Sequence, residues 1–180
     1  MDTKFIEENE SKDWGMLQDF NDSQHYFKGL IQREKYSTSD ASGSTIDGRT
    51  FAIELKSRNQ VLTNDGKISG ETYDGKTYTA NTIFIEAHKL ASLLSDYVVK
   101  GDEPLYVNFL KDGWTVLYNL TKLTTVPKKR HMTIKSKGYG RQDGEYRFEL
   151  PLKDAAIFKN NKLFKKMGDE WYDNEPEPFC

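Results

Sequence analysis

One short segment constrains the fold of this chain more than any other. Along residues 50–58, TFAIELKSR, the apolar side chains Phe51, Ile53 and Leu55 alternate with other residues. This two-residue period is typical of a β-strand with one apolar face. The second face carries three charged side chains, those of Glu54, Lys56 and Arg58. These charges either cover a solvated sheet surface or combine a metal ligand with a group that orients or deprotonates water.

The composition is that of a folded domain. Of the 180 residues, 36% are hydrophobic and 13% are aromatic, which suffices for one core. We expect a single domain over residues 1–168 and an acidic, disordered tail over residues 169–180. Because the formal net charge is -2, a nucleic-acid site would have to be a local basic patch. The single cysteine, Cys180, allows neither an internal disulfide nor a thiolate metal cage.

The chain shows no targeting or membrane signal. The N-terminal residues are acidic and lack an apolar core segment, so we predict no signal peptide. No apolar run reaches the length of a membrane span. We therefore expect a cytoplasmic protein with no membrane partner.

A helical pattern is predicted over residues 13–35, where apolar residues recur at intervals of three and four. Asn21-Asp22-Ser23 is a favourable N-cap sequence, so the segment forms two helices or one helix with a break. Asp19 and Glu34 are the acidic residues nearest to its apolar positions. The favoured interpretation of both is an exposed helix charge.

Residues 36–56 are predicted to form a β-hairpin around Asp47-Gly48, a favoured turn sequence. In that register Asp40 lies opposite Leu55 and within one residue of Glu54. Asp47 would lie at the tip, roughly 20 Å from Glu54 at about 3.3 Å per strand residue. Asp40 is therefore the candidate ligand, and Asp47 belongs to the turn.

Beyond the hairpin, residues 57–81 are predicted to form a polar loop with a small exposed hairpin, which either faces a substrate or is an inert excursion. A strand at 82–86 then leads into a helix at 88–100, which Gly101 ends. The buried side of this helix is predicted to consist of Leu90, Leu93, Leu94, Tyr97 and Val98. Lys89, which follows Glu86 and His88 at the strand end, is either a surface lysine or a phosphate contact near the helix N-terminus. Two further strands are predicted at 105–110 and 114–120.

Residues 127–142 are basic without an interleaved acid. The basic side chains are Lys128, Lys129, Arg130, Lys135, Lys137 and Arg141. A solvated loop would explain them, but the missing acids and the flexible Gly138-Tyr139-Gly140 favour binding to a phosphate backbone. A last strand at 146–152 and a short basic helix at 155–167 complete the predicted elements.

This alternation predicts an α/β (α+β) fold, a mixed β-sheet flanked by helices. Asp40, Glu54 and Lys56 would meet at one end of the hairpin. Two carboxylates suit Mg²⁺ or Mn²⁺, which lowers the pKa of bound water and stabilises charge developing at phosphorus. A neighbouring lysine can position or deprotonate the attacking water. Together these residue types indicate phosphodiester hydrolysis.

The order of these elements and residues resembles the PD-(D/E)XK nuclease superfamily, the restriction-endonuclease-like fold. The resemblance spans residues 13–120 and implies an αβββαβ core, here with extra C-terminal strands. It implies that Asp40, Glu54 and the backbone carbonyl of Leu55 bind the divalent metal, and that Lys56 orients the water. Ser39 precedes Asp40 where the family name has proline.

The same resemblance implies roles for residues outside the core motif. The leading helix of the family often adds an acid to the metal site, for which Glu34 or Asp19 are the matches here. Arg58, on the same face as Lys56, would contact a phosphate. Many such nucleases dimerise to cut two strands, so a homodimer is a further expectation.

Three functions are compatible with the sequence. The first is a Mg²⁺-dependent endo- or exodeoxyribonuclease that binds DNA. The second is a catalytically silent module of the same fold that binds nucleic acid or a protein. The third is a structural protein of an assembly, in which the charged face of residues 50–58 is merely solvated.

Overall fold

The computed structural model describes residues 3–34, 37–72, 75–133 and 144–168. The predicted tail and the basic residues Lys135, Lys137 and Arg141 lie outside these ranges. In chain order the elements are α1 (Thr3–Gln24), β1 (Gly29–Gln32), β2 (Ala41–Ser44), β3 (Thr50–Ser57), β4 (Val61–Leu62), β5 (Ile68–Glu71), β6 (Thr77–Ala80), β7 (Thr82–Glu86), α2 (Ala87–Lys100), β8 (Glu103–Phe109), β9 (Trp114–Asn119), β10 (Lys128–Thr133), β11 (Gly144–Pro151), β12 (Ala156–Lys159) and β13 (Lys162–Lys165). No helix in the described ranges is long and apolar enough to span a membrane.

A mixed central sheet organises the molecule. Among the described residues it has seven strands in the order β1-β2-β3-β8-β9-β12-β13. The pairing of β3 with β8 is parallel, and the other neighbouring strands are antiparallel. Helix α2 lies between β3 and β8 in the chain, as a crossover between parallel strands requires. The predicted mixed α/β fold, a mixed β-sheet flanked by helices, is confirmed.

The two helices cover opposite faces of this sheet. Leu17 of α1 packs in a core with Phe51, Ile53 and Leu55 of β3. The intervening Ala52 belongs to a second core, which α2 covers with buried leucines. Since successive strand residues point to opposite faces, β3 is buried on both sides.

Two smaller sheets adjoin the central one. Strands β10, β11 and β7 form the first, so the segment after β9 returns to the start of α2. Strands β4, β5 and β6 form the second, in the region predicted as a loop with a small hairpin. Their turns are closed by Thr63 and Thr72, whose hydroxyls bond to residues four positions on.

The prediction of helix over residues 13–35 is wrong at both ends, since helix α1 already begins at Thr3. Helix α1 stops at Gln24, and His25 takes a left-handed conformation with φ 49°. The side chain of Asn21 then closes the following loop on both sides of Phe27, accepting its N–H at 2.7 Å and donating to its carbonyl at 3.1 Å. The aromatic residues after the helix therefore lead into an edge strand, β1.

The hairpin of β2 and β3 differs from its predicted register by one residue. Ala41 pairs with Ile53 and Ser44 with Thr50, whereas the predicted register placed Asp40 opposite Leu55. Thr45 donates its N–H to the carbonyl of Arg49 at 2.9 Å and so closes the loop. The loop therefore has three central residues, 46–48, instead of the predicted two. The extra residue is accommodated by the left-handed Gly48, φ 84°.

The basic helix predicted at 155–167 is wrong, because β12 and β13 form a hairpin there. Asn160 and Asn161 have φ values of 47° and 60°, as a type I′ turn requires at both central positions. Ile157 and Phe158 pack into different cores. Burial on both faces removed the alternation of polar and apolar residues that would have indicated a strand.

Helix α2 begins and ends as predicted, but its buried side is only partly as predicted. Leu90 and Leu93 are buried, together with Asp96. Leu94, Tyr97 and Val98 are exposed by 37%, 42% and 81%. Helical spacing alone did not show which apolar residues of α2 face the core, and the last buried position is occupied by Asp96 instead of an apolar residue.

Candidate active site

The charged face of β3 is not a solvated surface. Glu54 is only 5% exposed, because α2 and β7 cover this side of the sheet. Tyr106 lies opposite Glu54 on β8, and Asn108 lies opposite Lys56. An acidic side chain is rarely buried to this extent without a partner, so the surroundings of Glu54 define the candidate site.

Asp40 reaches the same part of β3 from the start of β2. Its own N–H donates to the carbonyl of Ile53 at 3.0 Å, and its Oδ2 accepts the N–H of Leu55 at 2.8 Å. The N–H and C=O of a strand residue point to the same edge of the strand. The carbonyl of Leu55 is therefore directed to the edge on which the Asp40 carboxylate lies.

Glu54 is paired with Lys89 from the first turn of α2. The Nζ of Lys89 lies 2.8 Å from Oε1 and 3.1 Å from Oε2 of Glu54. Burial, and to a lesser extent the charge of Asp40, raises the pKa of Glu54 to about 7, against the opposing effects of Lys89 and Lys56. Burial lowers the pKa of Lys89, but Glu54, Asp40 and Glu86 outweigh it, so that the pKa is raised.

Lys56 is paired with an acid that was not among the predicted site residues. Its Nζ lies 3.6 Å from Oε1 of Glu86, the last residue of β7, and its side chain is 45% exposed. Burial acts to raise the pKa of Glu86, but the charges of Lys56, Arg58 and Arg147 outweigh it and the pKa is lowered. Arg147 lies directly opposite Glu86 in the β11–β7 register.

Arg58 is engaged within the protein at the end of the same face. Its Nε donates to Oδ1 of Asn108 at 2.6 Å, and its Nη2 donates to the carbonyl of Phe84 and the hydroxyl of Tyr106. These bonds hold β7 and β8 to the end of β3. The other amide atom of Asn108, Nδ2, is a buried donor that has no hydrogen-bond partner in the described part of the chain.

The two acids considered for the leading helix lie elsewhere. Asp19 is an exposed residue of α1, and Glu34 is an exposed residue after β1. The α1 acid that contacts β3 is Asp13, whose carboxylate accepts the N–H and the hydroxyl of Ser57. That contact lies on the face of the sheet opposite to Glu54.

The basic segment is a strand where it is described. Lys128, Lys129 and Arg130 are exposed residues of β10. Arg130 forms an ion pair with Glu149 of β11, and Lys129 lies 4.0 Å from the ring centroid of Tyr146. Acids absent from the segment itself are thus supplied by the neighbouring strand.

The oxygen donors present fit a divalent metal in chemical type. Mg²⁺ retains several waters and needs only one or two carboxylates, and Asp40, Glu54 and the Leu55 carbonyl are hard oxygen donors. A cation, the Lys89 ammonium, already lies against both oxygens of Glu54. Within the described ranges no three His, Cys, Asp or Glu residues form a group that could hold a metal by themselves.

The strand-to-helix junction carries Glu86, which was not predicted as a site residue, and Lys89, for which a surface position and a phosphate contact were both left open. Their separation of three residues, at the end of an apolar strand, is a usable signal because it places both at one point of a sheet edge. Pairing with Glu54 and Lys56 depends on where α2 crosses the sheet, which local sequence does not encode.

Comparisons with known proteins give one structural likeness. No protein-family model matches the chain, and no curated protein matches it significantly. Among solved structures, the chain is similar to Hjc, a Holliday junction resolvase from the archaeal hyperthermophile Archaeoglobus fulgidus, with a TM-score of 0.43 and 11% sequence identity. The alignment covers 75% of this chain and 85% of that one.

Proposed function

We propose that this chain is a metal-dependent nuclease that hydrolyses phosphodiester bonds in DNA, with residues 1–168 as its single domain. The observation that carries the proposal is the burial of Glu54 beside Asp40, Lys89 and Lys56. Burying a carboxylate is unfavourable even when it is paired. Buried acids with a perturbed pKa and a specific charged partner are typical of catalytic sites.

The oxygens of Asp40 and Glu54 and the carbonyl of Leu55 would hold Mg²⁺ or Mn²⁺. When bound, such a metal supplies an activated water and stabilises charge on the phosphorane. Lys56, partly exposed and held by Glu86, positions the attacking water. The Nδ2 of Asn108, opposite Lys56 on the adjacent strand, is a buried donor without a partner among the described residues, and it is suited to bind an internal water.

DNA contacts are proposed on two surfaces around this centre. Lys89 and Arg58 lie on the site face of the sheet. The exposed lysines and arginine of β10, with Lys135, Lys137 and Arg141 after them, would follow the phosphate backbone. A homodimer would allow both strands of a duplex to be cut, and the mass of the protein in solution tests that expectation.

The solvated-surface interpretation does not fit a Glu54 side chain that is 7% exposed. A purely structural role would also not explain why Asp40, Glu54 and Lys56 lie in the same part of the fold. A silent module of the same fold would bind DNA in a salt-dependent manner without cutting it, and the cleavage assay distinguishes the two.

The test uses purified protein with linear, circular and branched DNA, in Mg²⁺ and in excess chelator. We expect cleavage that the chelator abolishes, and a loss on the order of a hundredfold or more in Glu54→Gln and Lys56→Ala. The matched control is Lys162→Ala, which removes an exposed lysine of β13 far from the site. Cleavage by either site variant at the control's rate would contradict the proposal.

A further inference from the structure

We infer that Lys89 is a built-in counter-cation of Glu54, which leaves the carboxylate when a divalent metal binds there. The inference rests on the proposed metal site but adds a role for a residue outside the motif of two acids and a lysine. It makes metal binding an exchange of cations on Glu54.

The geometry of the pair supports competition for the same oxygens. The Nζ of Lys89 is within hydrogen-bond distance of both carboxylate oxygens of Glu54. An ammonium has three donors and no acceptor, so it can serve both oxygens at once. A divalent metal on the same oxygens would lie within a few ångströms of this ammonium, and the repulsion between the two cations favours release of Lys89.

Lys89 is also placed so that it can move alone. Its side chain is 29% exposed, whereas that of Glu54 is 7% exposed, so the ammonium lies between the buried carboxylate and solvent. Helix α2 is held in the core by Leu90 and Leu93. The flexible four-carbon stem of a lysine allows the amine to turn outward while these leucines stay in place.

The surrounding charges favour a divalent cation at this point. Three acids, Glu54, Asp40 and Glu86, act on Lys89 electrostatically. Lys56, Arg58 and Arg147 act on Glu86. The Lys89 ammonium therefore supplies a single positive charge to the two remaining acids, Glu54 and Asp40. A divalent ion supplies two, while Lys56 continues to pair with Glu86.

The first experiment needs no variant. Wild-type protein is labelled briefly with an amine-acylating reagent, with and without Mg²⁺, and each lysine is quantified by peptide mass spectrometry. We expect labelling of Lys89 to increase severalfold with Mg²⁺. Lys100, on the same helix and paired with Asp96 at 2.8 Å, is the internal reference and should not change.

Unchanged labelling of Lys89 at a Mg²⁺ concentration that saturates binding would overturn the inference. An equal increase at Lys100 would overturn it as well, because it would indicate a general loosening of α2.

The second experiment measures metal affinity. Mn²⁺ binding is followed by calorimetry for wild type, Lys89→Met, Lys89→Arg and the control Lys100→Met, after circular dichroism has shown that each is folded. Removing the competing cation should tighten binding on the order of tenfold in Lys89→Met. Lys89→Arg and Lys100→Met should stay near wild type, and equal or weaker binding by Lys89→Met would contradict the inference.

The outcomes separate this inference from the proposed function. Metal binding and DNA cleavage with no response of Lys89 would leave the nuclease proposal intact and remove the role of Lys89. Metal-dependent release of Lys89 without cleavage of any DNA would support the exchange and remove the nuclease. Absence of metal binding in every variant would remove both.

Discussion

Glu54 and Glu86 illustrate how the site assigns different partners to chemically similar acids. Glu54 is enclosed between the sheet and α2 and holds Lys89, whereas Glu86 lies at a strand end and holds Lys56. The two lysines therefore have separate anchors. We therefore expect Lys56 to keep its position when the partner of Glu54 changes.

A residue-scale prediction follows for Glu86, which the sequence did not identify. Glu86→Gln removes the charge that holds Lys56, and we expect cleavage to fall on the order of tenfold, as for other groups that orient a catalytic residue. The loss should be in kcat rather than KM. Glu145→Gln, which breaks a pair with Arg147 on the adjoining strand, is the control and should have a smaller effect.

Residue-level reasoning from sequence succeeded where local rules apply. The period of β3 placed Glu54 and Lys56 on one face, and the Asp47-Gly48 turn brought Asp40 to within one residue of its position in the structure. The burial of that face could not be predicted, because it depends on β7 and α2. The acids Glu145 and Glu149 follow the basic segment in sequence, and their position beside it depends on the antiparallel pairing of β10 with β11, which was not predicted.

At the scale of elements, α2 is tied to the segment before β2 by a buried acid. Asp96 is 4% exposed and accepts hydrogen bonds from Thr38 and Lys100. Arg33, at the end of β1, lies 3.7 Å from the same carboxylate. Asp96 therefore fixes the approach of the chain to Asp40.

This tie gives a pH-dependent prediction. Burial acts to raise the pKa of Asp96, but the hydrogen bonds from Lys100 and Thr38 outweigh it and the pKa is lowered from 3.8. A lowered pKa means that the stabilisation is complete above the unfolded-state value and is lost as pH falls through the folded-state value. Asp96→Asn should cost about 2 kcal/mol at neutral pH, and the difference from wild type should shrink in acid.

Denaturant unfolding at several pH values measures this effect. Asp65→Asn is a close control, because Asp65 also accepts from a threonine and a lysine, Thr63 and Lys67, but on the surface. We expect little change in that variant. An equal loss in both, or a loss in Asp96→Asn that persists at low pH, would contradict the assigned role.

Two glycines should respond to alanine with opposite signs. Gly113 has φ 74°, and a Cβ there would overlap the Asn160 side chain of the β12–β13 turn, so Gly113→Ala should destabilise by about 1–3 kcal/mol. Gly15 lies within α1 with nothing within 4 Å of a Cβ, so Gly15→Ala should stabilise by about 0.5–1 kcal/mol. Thermal and denaturant unfolding measure the stability of both variants. A change of the same sign in the two variants would contradict the prediction.

The C-terminal hairpin shows why element assignment from sequence failed locally. The segment AIFKNNKLFK has lysines and apolar residues at spacings that also fit a helix. Its Asn160-Asn161 turn is a hairpin signal, but the strand before it is buried on both faces. The stronger patterns, in β3, β8 and α2, were assigned correctly because each has either a clear period or a clear end.

At the scale of the whole molecule, the charge distribution gives a prediction about DNA binding. The net charge is near neutral, while β10 presents Lys128 and Lys129 on the surface. The slope of log affinity against log salt should fall by about 1 for each phosphate contact removed. Binding isotherms of Lys128→Ala/Lys129→Ala across a salt series test this.

Lys162→Ala, on the edge strand β13 of the central sheet, is the control for that series and should keep the wild-type slope. Loss of cleavage with an unchanged slope in the double variant would argue against β10 as a DNA contact. The fold's remaining basic residues would then have to carry the binding.

The contact between α1 and the C-terminal hairpin has a consequence for synthesis of the chain. Phe20 and Phe158 meet edge to face at 4.8 Å, and the Gln24 side chain bonds to the carbonyl of Asn161, 137 residues later. A ribosome adds that many residues in on the order of ten seconds. During this time the nascent chain carries an incomplete core beneath α1, and its folding can finish only after the hairpin has emerged.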